Sequence, residues 1–393
     1  MSNKVASSHS IPFWRDIRVL RIIWQVVFIG LIIAGIWWLL NNLQGNLKAS
    51  GLRIGFSFLK NTAGFPISEG LRYSPTDANG YAFFVGIVNT LKVSVIGIVL
   101  ATIIGVVVGI SRLSSNWLVK KLAGLYVEIV RNIPLLVQLF FWYFAVMLTA
   151  LPLVKNSIHL PGAIYLTRRG VYLPWVTLTK SFGTWTWYIV GGLILAIGVY
   201  MFRRAQLKRA ERPGFPILWA APVFVVVLVA GWFITPGSPL LLSVPVFHKF
   251  NFTGGLELTT SFTALLVGLS VYTGAFIAEI VRAGIQAISK GQTEAASAVG
   301  LTKVQVLRLV ILPQALRVII PPLASQYLNL TKNSSLAILI GYYDLMNVGT
   351  TIFNQTGRAV EMIILIMATY LVMSLLTSLA MNYYNKRMKL VER

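Results

Sequence analysis

The chain alternates long apolar runs with short polar ones. Eight runs read as membrane spans, covering roughly 22–40, 82–110, 122–149, 185–202, 216–234, 259–281, 315–331 and 359–382. Between the sixth and seventh lies a polar stretch, Gly291 to Pro313, GQTEAASAVGLTKVQVLRLVILP. Its pattern predicts two short helices and a turn. Glu294, Ala295 and Ala296 begin the first helix, and Gly300 ends it in a left-handed cap. Thr302 stands at the N-cap of the second, which carries Val304, Leu307, Leu309, Val310 and Leu312 and stops at Pro313. A short amphipathic helix between two spans has to touch something outside the membrane.

Composition supports the membrane reading and excludes several alternatives. The chain is 56% hydrophobic and 11% charged, with mean hydropathy +0.74, as multi-span membrane proteins are. A net charge of +23 in a soluble protein would suggest nucleic acid. Here the positives flank apolar runs, so topology explains them and no nucleic acid is expected. Arg203, Arg204, Lys208, Arg209 and Arg212 fix the inner turn of a hairpin made by the fourth and fifth runs. With the N-terminus inside, Lys4, Arg15, Arg18, Arg21, Arg112, Lys120, Lys121, Arg131, that cluster, the 291–313 region and Lys386 to Arg393 all fall inside. Both termini and the polar stretch are then cytoplasmic. The first run is too internal and too long for a cleaved signal peptide.

Chemistry is sparse. Without Cys there is no disulfide or thiolate chemistry, and His9, His159 and His248 show no metal-ligand spacing. No metal or cofactor is expected. No GxxxxGK[ST] phosphate loop occurs, and Gly284 to Lys290 has the wrong order and spacing for one. The chain is therefore expected not to be an enzyme, and any ATP hydrolysis must sit on another polypeptide.

Glu294-Ala295-Ala296, Gly300, Val310, Leu312 and Pro313 fall at the spacing of the EAA loop of ABC importer permeases, which the stretch resembles. The one departure is Val310, where Ile is usual. The resemblance implies a coupling helix docked on a separate ATPase subunit, with Leu307 and Val310 as apolar anchors and Glu294, Lys303 and Arg308 at its edge. NTLKVSVIGIVLATIIGVVVGISRL, YVEIVRNIPLLVQLFFWY and YTGAFIAEIVRAGIQAISKGQTEAA resemble segments of the histidine and glutamine permeases, over about 82–150 and 259–385. The extra first run and the hairpin look most like the longer, Q-type permeases of general L-amino-acid systems.

That resemblance implies an all-α integral membrane protein of about eight transmembrane helices. A five-helix type I ABC importer core would be formed by the second, third, sixth, seventh and eighth. Residues 1–81 would be the cytoplasmic N-terminus, first helix and outer loop; 82–150 the first part of the core; 151–258 outer loops and inserted hairpin; 259–393 the second part of the core with the EAA loop. The implied function is import of polar L-amino acids across a bacterial inner (plasma) membrane by alternating access. The implied partners are ABC ATPase subunits, a second homologous permease chain in a heterodimer, a periplasmic amino-acid-binding protein and the lipid bilayer. The rival reading, a secondary transporter driven by an ion gradient, accounts for the spans and buried charges but not for the EAA stretch. A membrane-anchored scaffold would need a soluble output domain, and no polar segment is suited to form one.

Candidates for a substrate path come from intramembrane ionisable groups, which are costly in lipid and so face a cavity or a partner. Glu128 with Arg131 and Glu279 with Arg282 both occur in the tetrapeptide EIVR. Each is an i, i+3 pair able to bond to itself, and a neutralising role and a gate or substrate role stay open. Gln138, Tyr143, Tyr272 and Thr273 are further polar or aromatic candidates. LNLTKNSSLA, with Asn329, Lys332 and Ser335, reads as a partly unwound cavity lining or as a plain outer loop carrying Lys332 and, further on, Asp344. Gly105 and Gly109 form a GxxxG suited to helix packing. Residues 41–80 and 151–184 read as outer loops, with turns at Ser74-Pro75 and Asn79-Gly80. Tyr165, Tyr172, Trp175, Trp185 and Trp187 suit the membrane interface or a docking surface for a binding protein.

Overall fold

A computed structural model describes residues 17–49, 55–211 and 214–388. Lys4, Arg15, Arg212 and residues 389–393, used above for topology, lie outside them. The apolar runs become helices because a span must satisfy each backbone N–H and C=O internally. Among the described residues seven helices are long and apolar enough to cross a membrane, or eight if one bent pair counts as a span. Helix α1 (Ile17–Ala49) belongs to a separate unit of the chain that ends at Asn61. The other unit holds α2 (Asn79–Ser111), α3 (Trp117–Asn132), α4 (Leu135–Ala150), α5 (Phe182–Arg209), α6 (Ile217–Ile234), α7 (Thr260–Gln286), α8 (Lys290–Ala298), α9 (Lys303–Ile340), α10 (Leu345–Thr356) and α11 (Ala359–Met388).

The centre is the α2–α7 pair. Small residues let the two backbones approach, as in membrane helix packing generally. A Cβ on Gly109 would lie 2.7 Å from the Ala278 carbonyl oxygen, and one on Gly105 would collide with Ile277. Gly274 of α7 meets Ile104 in return. Leu139, Phe262, Leu265, Leu269, Ile277 and Leu330 are buried around this contact. The GxxxG thus does the packing expected of it. Asn79-Gly80 is the first turn of α2 rather than a loop turn. The turn at Ser74-Pro75 does form, closed by the Asp77 N–H on the Ser74 carbonyl at 2.9 Å.

The third apolar run is not one straight span. It breaks between α3 and α4 with a bend of 105°. Ile133 precedes Pro134 and is held extended, at φ −100° and ψ 128°, because the proline ring excludes the helical region before it. The seventh run departs the other way. Pro313 was expected to stop a helix, but α9 runs straight through it. A wide π turn at Val306–Ile311 comes immediately before. It loosens the ladder where proline supplies no N–H and crowds the preceding carbonyls. The polar run 329–335 is helical too, passing into a 3₁₀ end at Ser334–Ile340, so it is neither unwound nor a plain loop.

The connections flanking α5 and α6 are more ordered than the sequence suggested. Strands β1 (Ile158–Leu160), β2 (Ile164–Thr167), β3 (Gly170–Leu173) and β8 (Leu256–Thr259) form an antiparallel sheet in the order β1-β2-β3-β8. Strand β4 (Trp175–Leu178) pairs with β5 (Leu240–Ser243), and β6 (Val246–His248) with β7 (Asn251–Thr253). Tyr172 is buried here against Phe252, with Tyr165 beside them, so these two tyrosines build a small core rather than an interfacial belt. Trp175 and Trp187 remain exposed. Helices α5 and α6 pair as the expected hairpin, with Gly192 against Val227 and Gly231 against Tyr188.

Candidate functional site

The stretch after α7 folds into a tightly capped turn. Gly300 has φ +85°, a conformation that favours glycine. Its N–H donates to the Ser297 carbonyl at 3.0 Å, and the Leu301 N–H donates to the Ala296 carbonyl at 3.3 Å. This closes the end of α8 as a Schellman cap. Two residues on, Thr302 and Gln305 make a capping box: the Gln305 N–H donates to Thr302 Oγ1 at 3.4 Å and the Thr302 N–H to Gln305 Oε1 at 2.9 Å. Ala296, Val306 and Ile311 are buried together, packed by Ile285, Ile288, Leu301 and Val310. The turn is therefore bound to the end of α7 on one side and opens α9 on the other.

Its outer side is apolar. Val299, Val304, Leu307 and Leu309 are 77%, 73%, 43% and 61% exposed. Glu294, Ala295, Lys303 and Arg308 are exposed with them. The two anchors expected from the sequence thus separate. Leu307 faces out, whereas Val310 packs inward beside Ile311. Leu312 and Pro313 are half-buried within α9.

A charged group stands above this turn. Glu279 of α7 accepts hydrogen bonds from Arg112, just past the end of α2, and from Arg282. The α2–α7 packing explains the first: with Gly105 on Ile277 and Gly109 on Ala278 and Val281, the next turn of α2 reaches Glu279. Of the two expected i, i+3 pairs, Glu279–Arg282 forms. Glu128–Arg131 is absent among the described ion pairs. Instead the Arg131 guanidinium lies 5.0 Å over the Phe276 ring, and Tyr272 packs on that ring at 4.9 Å. Arg112, Glu128, Arg131, Phe276 and Glu279 line a cavity of about 390 Å³.

The other candidates lie elsewhere. Gln138 is buried, and its Nε2 donates to the Val130 and Ile133 carbonyls at 2.8 and 2.9 Å. Its amide group thus holds the α3–α4 bend, satisfying carbonyls the break orphans. Asn329 and Lys332 are exposed near the far end of α9. Ser335 is half-buried, and its Oγ donates back to the Lys332 carbonyl at 2.8 Å. The polar residues 329–335 are therefore at the opposite end of α9 from the capped turn.

A buried polar cluster escaped the sequence reading. Asp344, taken there as a loop charge, is fully buried. Its Oδ1 accepts from the Asn347 N–H at 2.9 Å, which caps α10, and its Oδ2 faces the Tyr370 hydroxyl of α11 at 3.4 Å. Asn89 of α2 donates to the Tyr343 carbonyl at 2.9 Å, and the Tyr342 hydroxyl donates to the Asn89 carbonyl at 3.1 Å. Burial pushes the Asp344 carboxyl up to about 7. Burial also raises Glu69 to about 7, with Lys92 opposing and Glu257 adding to the rise. The signal was present: an Asp directly before LMNVG is an N-cap pattern.

Residues 189–390, just over half the chain, match the family of binding-protein-dependent transport system inner membrane components. The general L-amino acid transport system permease protein AapQ of Rhizobium johnstonii is 46% identical over 384 residues, 96% of this chain and 94% of that one. The chain belongs to this family of ABC importer permeases. The putative amino-acid ABC transporter permease protein YhdX of Escherichia coli K12 is 45% identical over 94% of each chain. The glutamate/glutamine/aspartate/asparagine transport system permease protein BztB of Rhodobacter capsulatus is 43% identical over 96% of each. Membership sets aside the ion-gradient-driven alternative. As an ABC importer permease, the chain is a multi-span transport component that works with a separate ATPase and a substrate-binding protein.

Proposed function

We propose that this permease moves polar L-amino acids into the cytoplasm by alternating access, taking the ATPase's motion through the turn at 294–313. One observation carries the coupling role: a doubly capped turn that presents Val299, Val304, Leu307 and Leu309 outward while Ala296, Val306 and Ile311 lock it to the end of α7. Each cap contributes about 1 kcal/mol, so the turn moves as a piece. Displacing it would drag α7 and α9 together, and Glu279 would pass the motion to Arg112 beside α2. Packed elements of this kind switch between discrete arrangements rather than bend smoothly.

The amino-acid substrate is supported by the names of the three relatives, each an amino-acid permease. In the 390 Å³ cavity Arg131 suits a substrate carboxylate and Glu128 a substrate ammonium, with Tyr272 nearby and Phe276 and Glu279 in the lining; Arg282 pairs with Glu279 from outside it. Lys and Arg positions support a cytoplasmic turn and termini in a bacterial inner membrane. Segments 82–150 and 259–393 would form the core, and 1–81 and 151–258 the additions. A second, homologous permease chain would complete a heterodimer.

Reconstitution with the ATPase, the second permease and the binding protein in proteoliposomes tests this. ATP should drive uptake of labelled polar amino acids, and replacing the ATPase's catalytic glutamate should abolish it. Uptake that survives that replacement, or follows an ion gradient, contradicts the proposal.

A further inference from the structure

Beside the charged end of α7 lies a second cavity, of about 560 Å³, which shares Arg112 and Glu128 with the first. Its lining includes Arg112, Trp117, Lys120, Lys121, Glu128 and Arg282. These are four cations and one carboxylate. Glu279, which Arg112 and Arg282 share, supplies a second negative charge, so two positive charges remain uncompensated. Lys120 and Lys121 are in no ion pair among the described residues.

Helix α3, which forms one wall, has three distinct faces. Ala123, Val127 and Val130 are buried. Leu118, Leu122 and Ile129, four and seven residues apart, form an exposed apolar face. Trp117, Lys120, Lys121 and Glu128 form the third face, toward the cavity. The helix is turned 105° from the segment α4 that follows it. An amphipathic helix with this pattern lies along the membrane surface, its apolar face in the acyl region and its Trp and Lys at headgroup level.

We propose that this cavity binds the phosphate headgroup of an anionic phospholipid, in the leaflet on the side of the capped turn. Guanidinium and ammonium groups converging between helices at membrane-surface level match that chemistry. The exposed leucines beside them give the acyl chains a surface to lie on. A free phosphate shares the headgroup chemistry but gains nothing from Leu118 and Leu122.

The test uses the assembled importer, extracted gently into detergent with equal phosphatidylglycerol and phosphatidylethanolamine, and native mass spectrometry of the retained lipid. Phosphatidylglycerol should be retained preferentially. The double variant Lys120→Gln, Lys121→Gln should bind it more weakly by on the order of 25-fold, at roughly fivefold per lysine, with the assembly intact. Millimolar inorganic phosphate should not displace it. Equal retention of the two lipids, unchanged retention in the double variant, or displacement by phosphate would each overturn the proposal. A benzophenone side chain in place of Leu125, which also lines the cavity, gives an independent reading that keeps all four cations. Photo-capture of lipid supports the site; capture of the ATPase or the second permease assigns the cavity to a protein contact instead.

Discussion

Replacing Gly300 with Val tests the capped turn through a purely conformational change. Gly300 sits at φ +85°, and a Cβ added there would meet nothing within 4 Å. The Cβ itself creates no clash, so the leading effect is the strain of a β-branched residue in the left-handed region. That strain is about 2 kcal/mol, at the upper end of the range for a side chain there. It lowers the population of the closed cap by roughly 30-fold. The buried cluster of Ala296, Val306 and Ile311 does not involve the Gly300 position, so the chain should still insert and assemble. Amino-acid uptake and ATP hydrolysis are measured in the same proteoliposomes. The ratio of transport to hydrolysis should fall about tenfold or more in Gly300→Val, and much less in Gly300→Asn, because Asn tolerates the left-handed region. A valine variant with the parental ratio refutes the reasoning. Equal loss in both variants also refutes it, since bulk rather than backbone conformation would then be the cause.

Thr302→Ala removes one half of the capping box and should lower coupling in the same assay by an amount consistent with about 1 kcal/mol, with unchanged assembly. Glu279→Gln leaves Arg112 and Arg282 facing one another, and thermal unfolding in detergent should show a loss of about 1–3 kcal/mol that is partly restored by adding Arg112→Gln. Gly109→Leu places side-chain atoms where the Ala278 backbone lies and should abolish assembly, read by size exclusion with the partner chains. Asp344 has a folded carboxyl raised from 3.8 to about 7, so the folded state holds its proton across that window and loses stability as pH rises through it. Asp344→Asn keeps an N-cap without the charge, so its melting temperature should lie close to the parent's near pH 4 and increasingly above it toward pH 8; a variant that never exceeds the parent contradicts the burial argument.

What could be read in advance follows from how local each signal is. The capped turn was legible because a glycine at C′ and a threonine N-cap act within a few residues, although the Gln305 half of the capping box was not read. The break before α4 was missed because hydropathy summed across 122–149 outweighed Pro134, although the proline was in view. Pro313 misled in the opposite sense, since the π turn that accommodates it depends on the packing of Val306 and Ile311. The strands span only three or four residues each, too short for alternation to register. Arg112 and Glu279 are 167 positions apart. Only aligning the GxxxG of α2 against α7 would have brought them together. Asp344 looked like a loop charge because α10, the helix it caps, is short and follows directly after an apolar run.

The most direct test of the coupling claim is site-specific cross-linking. The chain contains no cysteine, so one introduced at Leu307 or at Val310 is this chain's only thiol, and the unsubstituted chain in the same assembly serves as the control. In the assembled importer, a cysteine at Leu307, which faces outward, should cross-link to the ATPase subunit, and one at the inward-packed Val310 should not. Cross-linking through Val310 alone, or through neither position, would contradict the account.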